Sequence, residues 1–134
     1  MTVQYLLDTN ICIYIAKEQP VSVLKKFKTL QVGTVAMSAI TFGELSYGVE
    51  KSQHPKKNKL ILDTITQIIP ALPLPDVAAK AYGKIRRELE KRGTPIGNND
   101  LWIAAHALAL NLTLVTNNTK EFKRVAKLKI DNWV

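Results

Sequence analysis

Cysteine is nearly missing: the 134 residues hold one, Cys12. A single thiol excludes an internal disulfide and fits a reducing, cytoplasmic compartment. Histidine is scarce as well. His54 and His106 are far apart in the chain, so with no second cysteine a zinc site has too few ligands. Neither G-x-x-x-x-G-K nor G-x-G-x-x-G occurs, which removes the glycine-rich phosphate loops. Long apolar runs are missing too. The longest uncharged stretch, Leu101–Thr119, is interrupted by His106, Asn111, Thr113, Thr116, Asn117 and Asn118, and divides into a helix and a strand rather than a membrane span. The opening M-T-V-Q-Y-L-L-D lacks a basic leader and is broken by Asp8, so it does not read as a signal peptide. Acidic side chains number 11 against 19 basic ones, a net charge of +8 that suits a polyanionic partner: RNA, DNA or an acidic protein.

What the chain does contain is the composition of a soluble globular protein, 46% hydrophobic and 22% charged, and its length suits one domain over residues 1–134. Val3–Leu7 is a short apolar run ending at Asp8, as expected of a buried strand in a parallel sheet. A short helix follows over 10–16, and Pro20 can open a second, with Val21, Leu24, Phe27 and Leu30 at helical spacing. Thr34–Met37 reads as a strand, Ser38 as the cap of a helix reaching about Lys51, and His54–Pro55 as the start of another. Ala71–Leu74 is a short extended piece between prolines. Pro75–Arg92 is the clearest helix. Ala78, Ala81, Tyr82, Ile85 and Leu89 form its apolar stripe, while Lys80, Lys84, Arg87 and Lys91 form a basic one. A helix over Leu101–Leu110, closed by Asn111, a strand over Leu112–Thr116, a short helix around Lys120–Val125 and a last strand near Leu128–Ile130 complete the chain. Strands alternating with helices over short connections predict an α/β fold around a parallel sheet, with the carboxyl ends of the strands on one edge.

Three acids stand in unusual places. Asp8 ends the first strand, Glu44 sits early in a largely apolar helix, and Asp100 opens the most apolar helix. Each has an ordinary structural explanation. Asp8 and Asp100 are good N-cap residues, and Thr41–Glu44 fits a capping box, though Ser38 is the better cap. The alternative explains all three together: strands ending on one edge bring Asp8, Glu44 and Asp100 into one site. Clustered carboxylates repel and require a cation or a retained proton. An all-oxygen set suits Mg²⁺ or Mn²⁺, and an acidic cleft in a basic protein suits phosphodiester hydrolysis. Cys12 reads as a small core residue. His106, on a different helix face from Asp100, reads as a core or interface histidine.

Four motifs carry a family resemblance: L-L-D-T-N-I, S-A-I-T-F-G-E-L-x-x-G, G-T-P-I-G-N-N-D-L-W-I-A-A-H-A and L-V-T-N-N-T-K-E-F, with L-K-I-D-N-W at the end. In order and spacing, and over almost the whole chain, they resemble the PIN-domain ribonucleases, and within them the VapC toxins of bacterial toxin–antitoxin pairs. The resemblance implies a parallel sheet of about five strands flanked by helices. It places the family's acids on Asp8, Glu44 and Asp100 as metal ligands, with Thr9 and Asn10 steadying the Asp8 loop and Thr116 orienting water or a carboxylate. It further implies Mg²⁺-dependent endoribonuclease activity, directed in the most similar group at the anticodon loop of initiator tRNA. A VapB antitoxin partner and a homodimer are implied too. Many members carry a fourth acid where this chain has Asn118; Asn118 can still bond a water or a phosphate oxygen, and Glu121 is the acid that follows. One Mg²⁺ is therefore expected. Competing expectations are a catalytically weak RNA- or protein-binding module on the same scaffold, and a structure-specific DNA nuclease using the same site.

Overall fold

Five short strands are separated by one or two helices each, seven in all, in a computed structural model that describes residues 2–134. Strand β1 spans Tyr5–Leu7, β2 Val35–Ser38, β3 Ala71–Leu72, β4 Thr113–Val115 and β5 Ile130–Asp131. They form one sheet in the order β3-β2-β1-β4-β5, and every neighbouring pair is parallel. β1 is central: Tyr5 pairs with Val35 on one side and with Thr113 on the other. The order runs outward in both directions from β1, which makes the carboxyl ends of β1 and β4 a topological switch point. Open parallel sheets bind their ligands at such crevices.

Side chains alternate across the sheet with a period of two, and this divides the core. Leu6 and Leu114 face one way, joining Ile85, Leu89, Leu101, Ile103 and Phe122. Leu7 and Val115 face the other way, joining Ile11, Ile15, Val23, Val35, Met37, Ile65 and Ile69. The first set packs beneath helices α5 (Asp76–Lys91) and α6 (Asn98–Ala109), the second beneath α1 (Thr9–Lys17), α2 (Val21–Lys28) and α4 (Pro55–Ile68). Helix α3 (Ala39–Lys51) leaves β2 directly, and the short α7 (Thr119–Phe122) follows β4. Cys12 is buried in the second set as a core residue, and burial pushes its thiol pKa up.

Most boundaries fall within two residues of those the apolar spacing predicts. One difference bears on function. Helix α6 begins at Asn98, three residues earlier than its apolar run, because the Leu101 N–H already donates to the Gly97 carbonyl at 2.9 Å. Asn98, Asn99 and Asp100 are thus the first turn of the helix, and Asp100 is inside it rather than capping it. At the other end Asn111 takes a left-handed φ of 56°, with Asn111 N–H bonding Leu108 O and Leu112 N–H bonding Ala107 O. That is the reciprocal pair of a Schellman closure.

Candidate active site

Asp8 follows β1 at the switch point and is almost fully buried, at 6% exposure. It acts as a cap and also faces the pocket. Its Oδ1 accepts the Ile11 N–H at 3.0 Å, capping α1, and its Oδ2 accepts the Thr116 hydroxyl at 2.5 Å. The capping explanation and the clustered-acid explanation of Asp8 are therefore compatible: the cap fixes the carboxylate at the strand end. Burial raises the Asp8 pKa, against the lowering effect of the Thr116 and Ile11 hydrogen bonds; Glu44 nearby adds to the rise. Thr116, fully buried at the end of β4, also accepts the Asn118 N–H at 2.9 Å.

Glu44 is placed by α3. Ser38 caps that helix, its Oγ accepting the Ile40 N–H at 3.1 Å, so Glu44 lies in the second turn and no Thr41–Glu44 capping box forms. Thr9 instead donates its hydroxyl to Glu44 Oε1 at 2.6 Å, with the Thr41 hydroxyl 3.3 Å from that of Thr9. A neighbour of Asp8 thereby holds Glu44.

Asp100, half-buried in the first turn of α6, has the Glu121 carboxyl as its neighbour. Burial, the Glu121 contact and the charges of Glu121, Glu44 and Asp8 together raise its pKa to about 7. Glu121 shifts the other way, below its ordinary value. Its desolvation is outweighed by bonds from the Asn118 side chain (2.9 Å), Asp100 and the Gly97 N–H (3.4 Å), and by Arg124. Glu121 is the site residue whose place the sequence left open. The signal lay in its spacing: three residues after Asn118, it returns to the same side across the short turn of α7.

Asp8, Thr9, Asn10, Glu44, Asp100, Asn118 and Phe122 line one pocket of about 130 Å³. No lysine, arginine or histidine is among these lining residues. The only ion pairs among the described residues are Arg86–Glu90 and Arg92–Glu88, so none of the pocket acids has a cationic partner within salt-bridge distance. Among the described residues no three acidic, histidine or cysteine side chains are drawn together tightly enough to form a ready-made metal site. The donor set nonetheless fits a hard divalent cation. It is all oxygen, partly desolvated and mutually repulsive, and burial together with neighbouring negative charge raises the Asp100 pKa, a cost that a bound cation would relieve. His106 is not in the pocket; it is fully buried, with Nδ1 2.8 Å from Ser38 Oγ, and is a core histidine.

Residues 5–128 match the PIN domain family. Ribonuclease VapC2 of Rickettsia felis is 47% identical over 133 residues, spanning 96% of this chain and 97% of that protein. The tRNA(fMet)-specific endonuclease VapC of Shigella flexneri is 42% identical over 130 residues, spanning 97% of this chain and 98% of that protein. Among solved structures, DNA-bound VapBC from Salmonella typhimurium matches with a TM-score of 0.93 at 36% identity, covering 99% of this chain and 100% of the other. VapBC2 from Rickettsia felis, bound to a DNA fragment from its promoter, matches with a TM-score of 0.91 at 42% identity, covering 98% of this chain and 100% of the other. The chain therefore belongs to the PIN-domain family, and within it to the VapC group.

Proposed function

We propose that this chain is the toxin of a type II toxin–antitoxin pair, a metal-dependent endoribonuclease that cuts initiator tRNA in its anticodon loop and so stops translation. The observation that carries the reading is the pocket itself: Asp8, Glu44 and Asp100 line it without a cationic side chain, in a chain of net charge +8. Asp8 and Asp100 would hold Mg²⁺, or Mn²⁺ in its place, with Glu44 completing the set. When bound, the ion supplies positive charge that polarises a water and offsets the charge growing on the phosphate oxygens. The chain's own groups do the rest. Thr116 and the Ile11 N–H fix the Asp8 carboxylate. Thr9 orients Glu44, which takes the proton of the attacking water. Asn118, on the pocket rim, bonds a phosphate oxygen or the water. Attack in line with the 3′ oxygen leaves a 5′-phosphate and a 3′-hydroxyl. Basic residues along Lys80–Arg92 and Lys120–Lys129 are the candidates for holding the RNA backbone.

The choice of substrate is supported by the name of the Shigella flexneri relative, which specifies tRNA(fMet). The partner is a VapB-type antitoxin, in keeping with the VapBC complexes that the fold matches so closely. A second cavity of about 350 Å³ offers it a seat. Cys12, Ile13, Leu45, Val49, Ile61 and Ile65 give it apolar walls, and it shares Thr9 and Glu44 with the acidic pocket. A segment lying in that groove therefore reaches the edge of the site. A homodimer is part of the same reading; Phe42 and Tyr47 on α3 and Val77 on α5 are exposed apolar side chains available to it. No helix among the described residues is long and apolar enough to cross a membrane.

The test is incubation of the purified chain with initiator and elongator tRNAs. One cut in the initiator anticodon loop is the expected product. Cleavage of duplex DNA in preference to either tRNA would overturn the substrate, and binding of RNA without cleavage would overturn the enzyme.

A further inference from the structure

His106 lines neither the acidic pocket nor the apolar groove, yet it is a fully buried polar side chain in the last turn of α6. Its Nδ1 is 2.8 Å from Ser38 Oγ, across 68 residues of sequence, and its Nε2 has no partner. Ser38 is the residue that caps α3, its Oγ already accepting the Ile40 N–H.

Counting protons selects the tautomer. A serine hydroxyl has one proton to give, and a neutral imidazole carries its proton on one nitrogen. If Nδ1 accepts, the Ser38 proton is used, and the Nε2 N–H alone is left over. If Nδ1 donates, the Ser38 proton and the Nε2 lone pair are both left over. The first arrangement strands fewer buried groups, one instead of two. Burial, which holds the imidazole pKa below its ordinary value, favours the neutral ring this arrangement needs.

The link joins the two helices that carry two of the pocket acids. Ser38 stands six residues before Glu44, and His106 six residues after Asp100. At about 1.5 Å per residue, each acid is roughly 9 Å along its helix from the contact. α3 and α6 pack directly on each other, and this is their buried side-chain hydrogen bond.

We propose that His106 is a positioning residue for RNA cleavage: by accepting the Ser38 hydroxyl at Nδ1 it pins the first turn of α3 to α6 and so fixes Glu44 opposite Asp100. The inference rests on the reading above that these carboxylates do the cleavage. A purely packing residue would be better as leucine, which strands no ring nitrogen. His106 retains a stranded nitrogen in return for a directional tie.

The test combines a spectroscopic signature with a variant series. Long-range ¹H–¹⁵N correlation on the wild-type chain at pH 7 should show a neutral His106 protonated on Nε2. His106→Asn places an amide oxygen near the Nδ1 position and keeps the tie. His106→Leu fills the space without it, and His106→Gln presents its amide near Nε2 instead. Among variants with wild-type melting temperatures, the leucine and glutamine forms should lose about 10- to 100-fold in kcat with KM little changed, because a displaced catalytic group costs rate more than binding. The asparagine form should recover most of that loss. An Nδ1-protonated ring, or a folded leucine variant with wild-type kcat, would overturn the inference and leave the enzyme reading intact. A wild-type chain that cleaves no RNA would overturn both.

Discussion

Thr116 Oγ1 donates to Asp8 Oδ2 at 2.5 Å, joining the ends of β1 and β4 across 108 residues. The bond sits at the switch point of the sheet and determines how the one nearly fully buried acid of the pocket is presented. Thr116→Val keeps the shape but removes the donor to Asp8 and the acceptor for the Asn118 N–H. Leaving these buried groups unpaired should cost about 1–3 kcal/mol in urea unfolding. Cleavage should fall by about tenfold or more, as Asp8 loses a bond that lowers its pKa. Thr116→Ser should restore both. A valine variant with unchanged stability and rate would show that the bond contributes nothing.

Asp8 separates into two functions by substitution. Asp8→Asn retains an oxygen to cap Ile11, and its amide can donate to a reoriented Thr116 hydroxyl. Stability should therefore be kept or raised while cleavage drops by about 100-fold or more. Asp8→Ala removes the cap as well and should cost about 1 kcal/mol from α1. Thermal melts beside single-turnover rates distinguish the two; equal melting temperatures for the two variants would contradict the capping role.

Asp100 makes stability depend on pH in a defined direction. Its folded pKa, about 7, lies above the unfolded value of 3.8, so the fold favours the protonated form. Its contribution is complete below the unfolded value and is lost as pH rises towards about 7. His106 works the opposite way below its unfolded value of 6.5, since the fold holds it neutral. Glu121 contributes above its unfolded value of 4.5 and loses that contribution only in more acid solution. Comparing Asp100→Asn with the wild type isolates the first effect. The melting temperature of the variant should gain on the wild type as pH rises from 5 to about 7.5, then hold level. Millimolar Mg²⁺ should narrow the gap by stabilising the wild type alone. A gap independent of pH would contradict the raised pKa.

Ile61 tests the apolar groove apart from the chemistry. It lines the cavity on α4 and is 41% exposed, so Ile61→Glu should fold normally. Charge in an apolar docking site should weaken binding of the cognate antitoxin by about 100-fold or more, measured by calorimetry, with tRNA cleavage unchanged. Wild-type antitoxin affinity would move the partner to another surface.

Much of the fold was legible because its signals are local. Val3–Leu7 and Leu112–Thr116 are apolar runs of strand length, and Ala78, Ile85 and Leu89 repeat at helical spacing, so β1, β4 and α5 followed from pattern alone. The start of α6 is not visible in the apolar pattern because Asn98 and Asn99 carry no apolar signal, and the turn is set by a backbone bond to Gly97. At the site, the three acids stood out by their unusual neighbours, and the structure brings all three to one pocket. What local pattern could not supply was pairing. The Thr9–Glu44, Asp100–Glu121 and Ser38–His106 contacts join positions 21 to 68 residues apart, and only the sheet order makes them neighbours.

The most direct measurement is cleavage of initiator tRNA by the wild type and by Asp100→Asn, with Mg²⁺ and with EDTA, followed by analysis of the product ends. A carboxylate–metal site predicts a Mg²⁺-dependent cut with 5′-phosphate and 3′-hydroxyl ends, abolished by EDTA and by the substitution. Cleavage that survives EDTA, or ends bearing a 2′,3′-cyclic phosphate, would mean attack by the RNA's own 2′-hydroxyl and would contradict the roles given to Asp8, Glu44 and Asp100.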